Sequence, residues 1–219
     1  QKVQGIIDNV RSGGDNALRE MTQRFDGATL TDLQVSNAEF EAAEQSLTAL
    51  QLTALKKAIS NVRRFHEAQT TEPLRVETSP GVICERHYRA IDAVGLYAPA
   101  GTAPLPSTVI MLAVPASIAN CPTRVLCTPP RRDGSADPAV LVTAKLCGID
   151  NVFKIGGAQA VAAMAFGTES VPKTDKIFGP GNRWVTAAKL LVANDPQGAA
   201  LDLPAGPSEV LVIADEQAN

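Results

Sequence analysis

Val3, Ile6, Ile7 and Val10 recur at helical spacing, and the run stops at Gly13-Gly14, because glycine readily supplies the left-handed residue that closes a helix. A second short helix is predicted from Asp15, a residue type that caps helix amino ends, with Leu18, Met21 and Phe25 as its inner face. Residues 27–35 read as a connector with room for a short strand. Ser36-Asn37-Ala38-Glu39 is a capping box. One long helix is predicted to follow over 36–69, since Phe40, Ala43, Leu47, Leu50, Leu55, Ile59, Val62 and Phe65 keep helical spacing until Pro73 ends it.

The period then changes to two. Val76 and Thr78, then Val82, Cys84 and Arg86, alternate around Ser79-Pro80-Gly81, which predicts a hairpin. Beyond it, apolar strand-like runs near 91–97, 123–128, 150–155, 174–178 and 209–214 alternate with helical segments near 108–119, 136–147, 158–166 and 182–194. Such alternation predicts an α/β fold, a Rossmann-like open, mainly parallel sheet with helices on both faces. Ahead of it stands an α-rich segment read as part of a second, incomplete α/β domain. The expected division is 1–93 for the helical segment plus hairpin, 94–208 for the sheet domain, and 209–219 for a strand returning to the first domain.

Three strand-to-helix turns carry the candidate chemistry: Ala93 to Ser107 (A-V-G-L-Y-A-P-A-G-T-A-P-L-P-S), Lys154 to Gln159 (K-I-G-G-A-Q) and Ile177 to Asn182 (I-F-G-P-G-N). In a parallel sheet they lie together at the carboxyl ends of the strands. There, unpaired backbone N–H groups and the positive helix end favour phosphate. Any α/β protein needs glycines in such turns, so one alone says little. Three together, two with an amide side chain (Gln159 and Asn182), point to a ligand site. A fourth dense stretch, Asp202 to Glu209 (D-L-P-A-G-P-S-E), is held by two prolines and a glycine.

Composition narrows the partners. A net charge of −3 offers no basic field for nucleic acid or an anionic membrane surface. No apolar run approaches the roughly 20 residues that cross a bilayer. With aromatics at only 4%, the core must rest on Ala, Val, Leu and Ile. Four cysteines without paired spacing suggest free thiols in a reducing cytoplasm. Neither Cys84 with His87 nor Cys121 with Cys127 assembles the three or four converging ligands of a zinc site. No G-x-G-x-x-G, phosphate-loop lysine motif or Ser–His–Asp arrangement occurs.

The stretches G-L-Y-A-P-A-G-T-A-P-L-P-S-T at 95–108, G-G-A-Q-A at 156–160, F-G-P-G-N at 178–182 and D-L-P-A-G-P-S-E at 202–209, with D-N-V-R-S-G-G-D-N-A-L-R-E at 8–20, together resemble the histidinol dehydrogenases. Ala98 and Ala100 stand where many members have a bulkier apolar residue and a glycine. The resemblance implies the last two steps of histidine biosynthesis: L-histidinol is oxidised through the aldehyde to L-histidine, two NAD⁺ are reduced, and zinc is required. By motif, Tyr97, Gln159 and Asn182 resemble NAD-contacting residues, and Ser208 resembles a substrate-contacting serine.

The resemblance also implies a cytoplasmic homodimer. It places the zinc ligands and the catalytic Glu-His pair beyond Asn219, so no catalytic or metal-ligating residue is expected in this chain. The start at Gln1 rather than Met suggests that more sequence lies upstream. The expectation is a fragment inactive alone. The alternatives are a catalytically empty nucleotide-binding or interaction module on the same fold, and an unrelated sugar-phosphate-binding domain.

Overall fold

The computed structural model describes residues 1–100, 104–203 and 211–218. The first helix, α1 (Lys2–Asp26), runs through both predicted N-terminal helices and is kinked where Gly14 adopts φ 50° and ψ −135°. Space for a side chain at Gly14 is taken by the Glu169 carboxylate. That carboxylate accepts from the Asp15 N–H at 2.8 Å and so caps the second half of α1. Asp15 itself is not the side-chain cap predicted for it. Its carboxylate accepts from the Thr168 hydroxyl at 2.6 Å and the Ser170 N–H at 3.3 Å instead. Leu18 and Met21 are buried as expected, whereas Phe25 is 48% exposed.

The predicted long helix is two: α2 (Asn37–Ser46) and α3 (Ala49–Glu67). Ser36 and Glu39 form the expected reciprocal cap of α2. Thr48 and Gln51 form a second capping box that starts α3. Leu47 is extended at φ −90°, ψ 140°, so the apolar periodicity continues across a break in the backbone. The hairpin follows as β1 (Leu74–Ser79) and β2 (Val82–Arg86), antiparallel and exposed along its whole length.

The remaining elements are β3 (Ala93–Tyr97), α4 (Pro106–Ile118), β4 (Thr123–Thr128), α5 (Pro138–Leu146), β5 (Asn151–Lys154), α6 (Gly157–Phe166), β6 (Lys176–Phe178), α7 (Arg183–Ala193) and β7 (Ala200–Leu201). The five strands form one parallel sheet in the order β5-β4-β3-β6-β7. The short β7 has no counterpart among the predicted strands. The connector is tied in by an antiparallel bridge between Gln34 and Phe153, flanked by Val35 N–H to the Val152 carbonyl and Lys154 N–H to the Leu33 carbonyl, both 2.8 Å. Residues 211–214, read from sequence as strand, pair with no strand among the described residues. Leu211, Val212 and Ile213 are 85%, 77% and 89% exposed. A strand gains stability from ladder partners and a covered face, and these residues have neither here.

Each sheet face is buried. Ala160–Ala165 of α6 and Val185, Ala188 and Val192 of α7 cover Val125, Cys127 and Ile177, and Leu18 and Met21 of α1 pack into the same core from the far side of those helices. Val109, Ile110, Ala113 and Val114 of α4 and Val140–Val142 and Ala144 of α5 cover Val94, Leu96, Leu126 and Val152, and Phe40 and Ala43 of α2 pack into the same core against α5. Small residues let the helices approach the sheet closely, which is how a core with few aromatics still packs densely.

Candidate functional site

Strand order sets the place of the site. The connections after β3 and β4 run outward along one face, and those after β5 and β6 run along the other. Chain direction therefore reverses between the adjacent strands β3 and β6, which is where an open α/β sheet leaves a crevice at its carboxyl edge. The loop after β3 and the Gly179–Asn182 loop after β6 flank that crevice.

Tyr97 ends β3. Its ring is 3% exposed, and its hydroxyl accepts the Gly157 N–H at 3.0 Å. α6 has no side-chain cap, so the phenol oxygen of a neighbouring strand meets the first N–H of that helix. Burial pushes the phenol up to about 12 despite the Gly157 contact. Tyr97 is thus held as a neutral hydrogen-bonding group at physiological pH. It is turned inward and braces the Gly156-Gly157 turn.

Gln159 lies two residues on and is 2% exposed. A side chain at Gly157 would meet its Oε1 at 2.8 Å, so the amide folds back over the turn. Asn182 is exposed and caps α7: its Oδ1 accepts from Trp184 N–H at 2.9 Å and Val185 N–H at 3.2 Å. Its carbonyl is thereby committed, and its NH₂ is what remains for a ligand. Tyr97 and Gln159 share the Gly157 turn; Asn182 stands on the neighbouring loop. Ser208 lies outside the described residues, as do positions 101–103 of the first loop.

Sequence reasoning missed the group that holds the third loop in place. Lys189 of α7 is 5% exposed. Its ammonium donates to the Gly179 carbonyl at 3.0 Å and pairs with the Asp202 carboxylate. Asp202 also accepts from Gly179 N–H at 2.9 Å and Leu203 N–H at 2.7 Å. Burial pushes the Asp202 carboxyl up, but the Lys189 and backbone donors outweigh it and hold it below its ordinary value. Gly179, at φ 128°, is pressed so close to the Tyr97 carbonyl that any side chain would collide with it. The β6 loop is clamped onto the end of β3 from both sides.

A cavity of about 600 Å³ opens elsewhere, at the β5 edge between residues 29–36 and the Asp133–Ser135 turn. In it Lys154 pairs with Glu39 at 2.8 Å, and Asp133 accepts from the Ser135 N–H and hydroxyl. The amino end of α2, closed by its Ser36–Glu39 box, lines it.

The family model for histidinol dehydrogenase matches residues 1–219. The chain belongs to the histidinol dehydrogenase family. It is 58% identical over 217 residues to the histidinol dehydrogenase of Xanthomonas euvesicatoria pv. vesicatoria, covering 99% of this chain and 50% of that protein. It is also 58% identical to the one from Aliivibrio fischeri, again over 99% of this chain and 48% of the relative. The crystal structure of histidinol dehydrogenase from Elizabethkingia anophelis superposes with a TM-score of 0.93 at 48% identity, over 99% of this chain and 50% of that one. The chain spans about half the length of the curated relatives it matches. The α/β fold described above agrees with that superposition. Among the described residues no helix is long and apolar enough to cross a membrane.

The two groups that the family implies fit unequally. A dinucleotide suits the crevice: an amino end of α6 without a side-chain cap, two amides and strand-end glycines surround it. Zinc does not suit it. Among the described residues no three His, Cys, Asp or Glu side chains converge, and burial pushes the Cys127 thiol far up, away from the thiolate that a metal binds.

Proposed function

We propose that this chain is the dinucleotide-binding portion of a histidinol dehydrogenase that oxidises L-histidinol through L-histidinaldehyde to L-histidine with two NAD⁺. What carries the reading is the meeting of the Gly156-Gly157-Gln159 turn and the Gly179–Asn182 loop beside Tyr97, at the reversal between β3 and β6. NAD, when bound, accepts the hydride; the chain's own residues bind and orient it. The α6 amino end favours the pyrophosphate. Gln159 and Asn182 supply amide donors and acceptors for the neutral parts of the dinucleotide, and Tyr97 fixes the turn on which Gln159 stands. Ser208 is assigned to L-histidinol by its place in D-L-P-A-G-P-S-E.

Residues 1–93, 94–208 and 209–219 are assigned as the helical segment of a first domain, the NAD-binding domain, and a strand returning to the first. A cytoplasmic homodimer is the assembly proposed. No base or zinc ligand set is assigned within the chain. The 219-residue chain alone is therefore expected to retain no stoichiometric zinc and to form no NADH from L-histidinol. Metal analysis of the purified chain, with absorbance at the NADH band, checks both; bound zinc with NADH formation would contradict the division of labour. A catalytically empty module would bind NAD⁺ equally well. It is separated by whether the protein encoded by the whole reading frame oxidises L-histidinol.

A further inference from the structure

Lys189 is the seventh residue of α7, two turns beyond the cap at Asn182. Its buried side chain reaches back to the start of the loop that leads into its own helix. There the ammonium donates to the Gly179 carbonyl at 3.0 Å, while the Asp202 carboxylate accepts the Gly179 N–H at 2.9 Å. Lys189 and Asp202 close the ring by pairing with each other. Both backbone groups of one loop residue are therefore held by a single ion pair. Further along, a Cβ at Gly181 would stand 2.4 Å from Val185 Cγ1, and Asn182 caps α7 through its Oδ1. From Gly179 to Asn182 the loop is tied to α7 at its start, middle and end.

A buried ion pair is a weak source of net stability, because desolvating both charges offsets most of their attraction, and apolar residues of like volume serve a fold as well. An apolar pair at these two positions would leave the Gly179 N–H and carbonyl without fixed partners. What the ion pair adds is one geometry for the loop. That geometry decides where the remaining NH₂ of Asn182 stands, since the amide carbonyl is already committed to α7. The same Asp202 carboxylate accepts the Leu203 N–H at 2.7 Å, so it also fixes the start of the stretch that carries Ser208.

We infer that Lys189 and Asp202 are positioning residues of the dinucleotide site: by holding Gly179 at both of its backbone groups they set Asn182 for NAD⁺, acting through the loop rather than on the ligand. This rests on the dinucleotide reading of the crevice above. It gives the pair a role distinct from its share in stability. It also assigns a function to a buried lysine that belongs to none of the four motif stretches. One carboxylate joins the cofactor loop to the stretch assigned to L-histidinol, and so holds the two in a fixed relation.

The test is calorimetric titration of the 219-residue chain with NAD⁺, at a temperature where every variant is folded. The unaltered chain and Lys189→Met/Asp202→Leu are compared, each with and without Asn182→Ala or Gln159→Ala, beside Lys189→Met alone. The paired substitution strands no charge, so it melts above Lys189→Met. It is nonetheless expected to weaken NAD⁺ about five- to tenfold, the scale of one misplaced hydrogen bond, and Lys189→Met to weaken it as much. Adding Asn182→Ala is expected to cost the paired variant at most about twofold, well below its effect in the unaltered chain, because the amide is already out of place. Adding Gln159→Ala, on the turn that Tyr97 braces, is expected to cost both backgrounds equally. Unweakened NAD⁺ binding by the paired variant, alongside a weakened Gln159→Ala, would overturn the role of Lys189 and Asp202 alone. Affinity that recovers with the melting temperature from Lys189→Met to the paired variant, or an undiminished Asn182→Ala loss, would overturn it as a merely structural effect. No NAD⁺ binding by the folded, unaltered chain would overturn the crevice reading and this inference together.

Discussion

Gly179→Ala is expected to lower the melting temperature by about 6–12 °C. The new methyl group would enter the Tyr97 carbonyl oxygen and crowd the Tyr97 carbonyl carbon and nitrogen, at 3.0 and 3.1 Å. These are backbone atoms of a central strand and have no rotamer through which to yield. The φ of 128° adds a conformation that residues with a Cβ rarely adopt. Overpacking and backbone strain together come to roughly 3 kcal/mol, and each kcal/mol moves the midpoint of a domain this size by about 2–4 °C. Thermal unfolding followed by circular dichroism reads it directly. An unchanged midpoint would mean that the β6 loop does not lie against β3 as described.

Lys189→Met is expected to cost about as much, roughly 3 kcal/mol, because it strands the Asp202 carboxylate and the Gly179 carbonyl beside it. The two partners are buried to different degrees, 6% and 26% exposed at the side chain, so the cost lies at the lower end of that for a fully buried pair. Lys189→Met combined with Asp202→Leu is expected to regain part of the loss, since the uncompensated charge goes with it. The pair also gives the fold an acid-sensitive element. The Asp202 carboxyl is held below its ordinary value of 3.8. Its contribution is therefore complete above that value and is lost as pH falls through the lower folded value. Chemical denaturation from neutral to acid pH should show a steeper loss for the unaltered chain than for the double variant. Equal slopes would contradict the pairing.

Most of the sheet was legible because each strand is a compact apolar run between turn residues: Thr123–Thr128 and Asn151–Lys154 fall where the pattern put them. The break between α2 and α3 was not, because Leu47 keeps the apolar phase while its backbone is extended. The signal was present in Thr48 and Gln51, a capping box inside a longer periodic run. β7 is two residues long and carries no periodicity to read. The loops of the candidate site were legible as motifs, yet their couplings were not. Lys189 looks like a surface lysine of a helix until Asp202 and Gly179 are folded against it. Nothing around Tyr97 in the sequence announces that its hydroxyl meets Gly157, 60 residues on.

The central claim is that the loops after β3, β5 and β6 build one dinucleotide site. Titration of the folded 219-residue chain with NAD⁺, and separately with a sugar phosphate such as ribose 5-phosphate, tests it most directly. Saturable one-to-one NAD⁺ binding that is weakened by Gln159→Ala and by Asn182→Ala, with no comparable affinity for the sugar phosphate, is the predicted result. Equal or tighter binding of the sugar phosphate, or NAD⁺ binding indifferent to both substitutions, would contradict it.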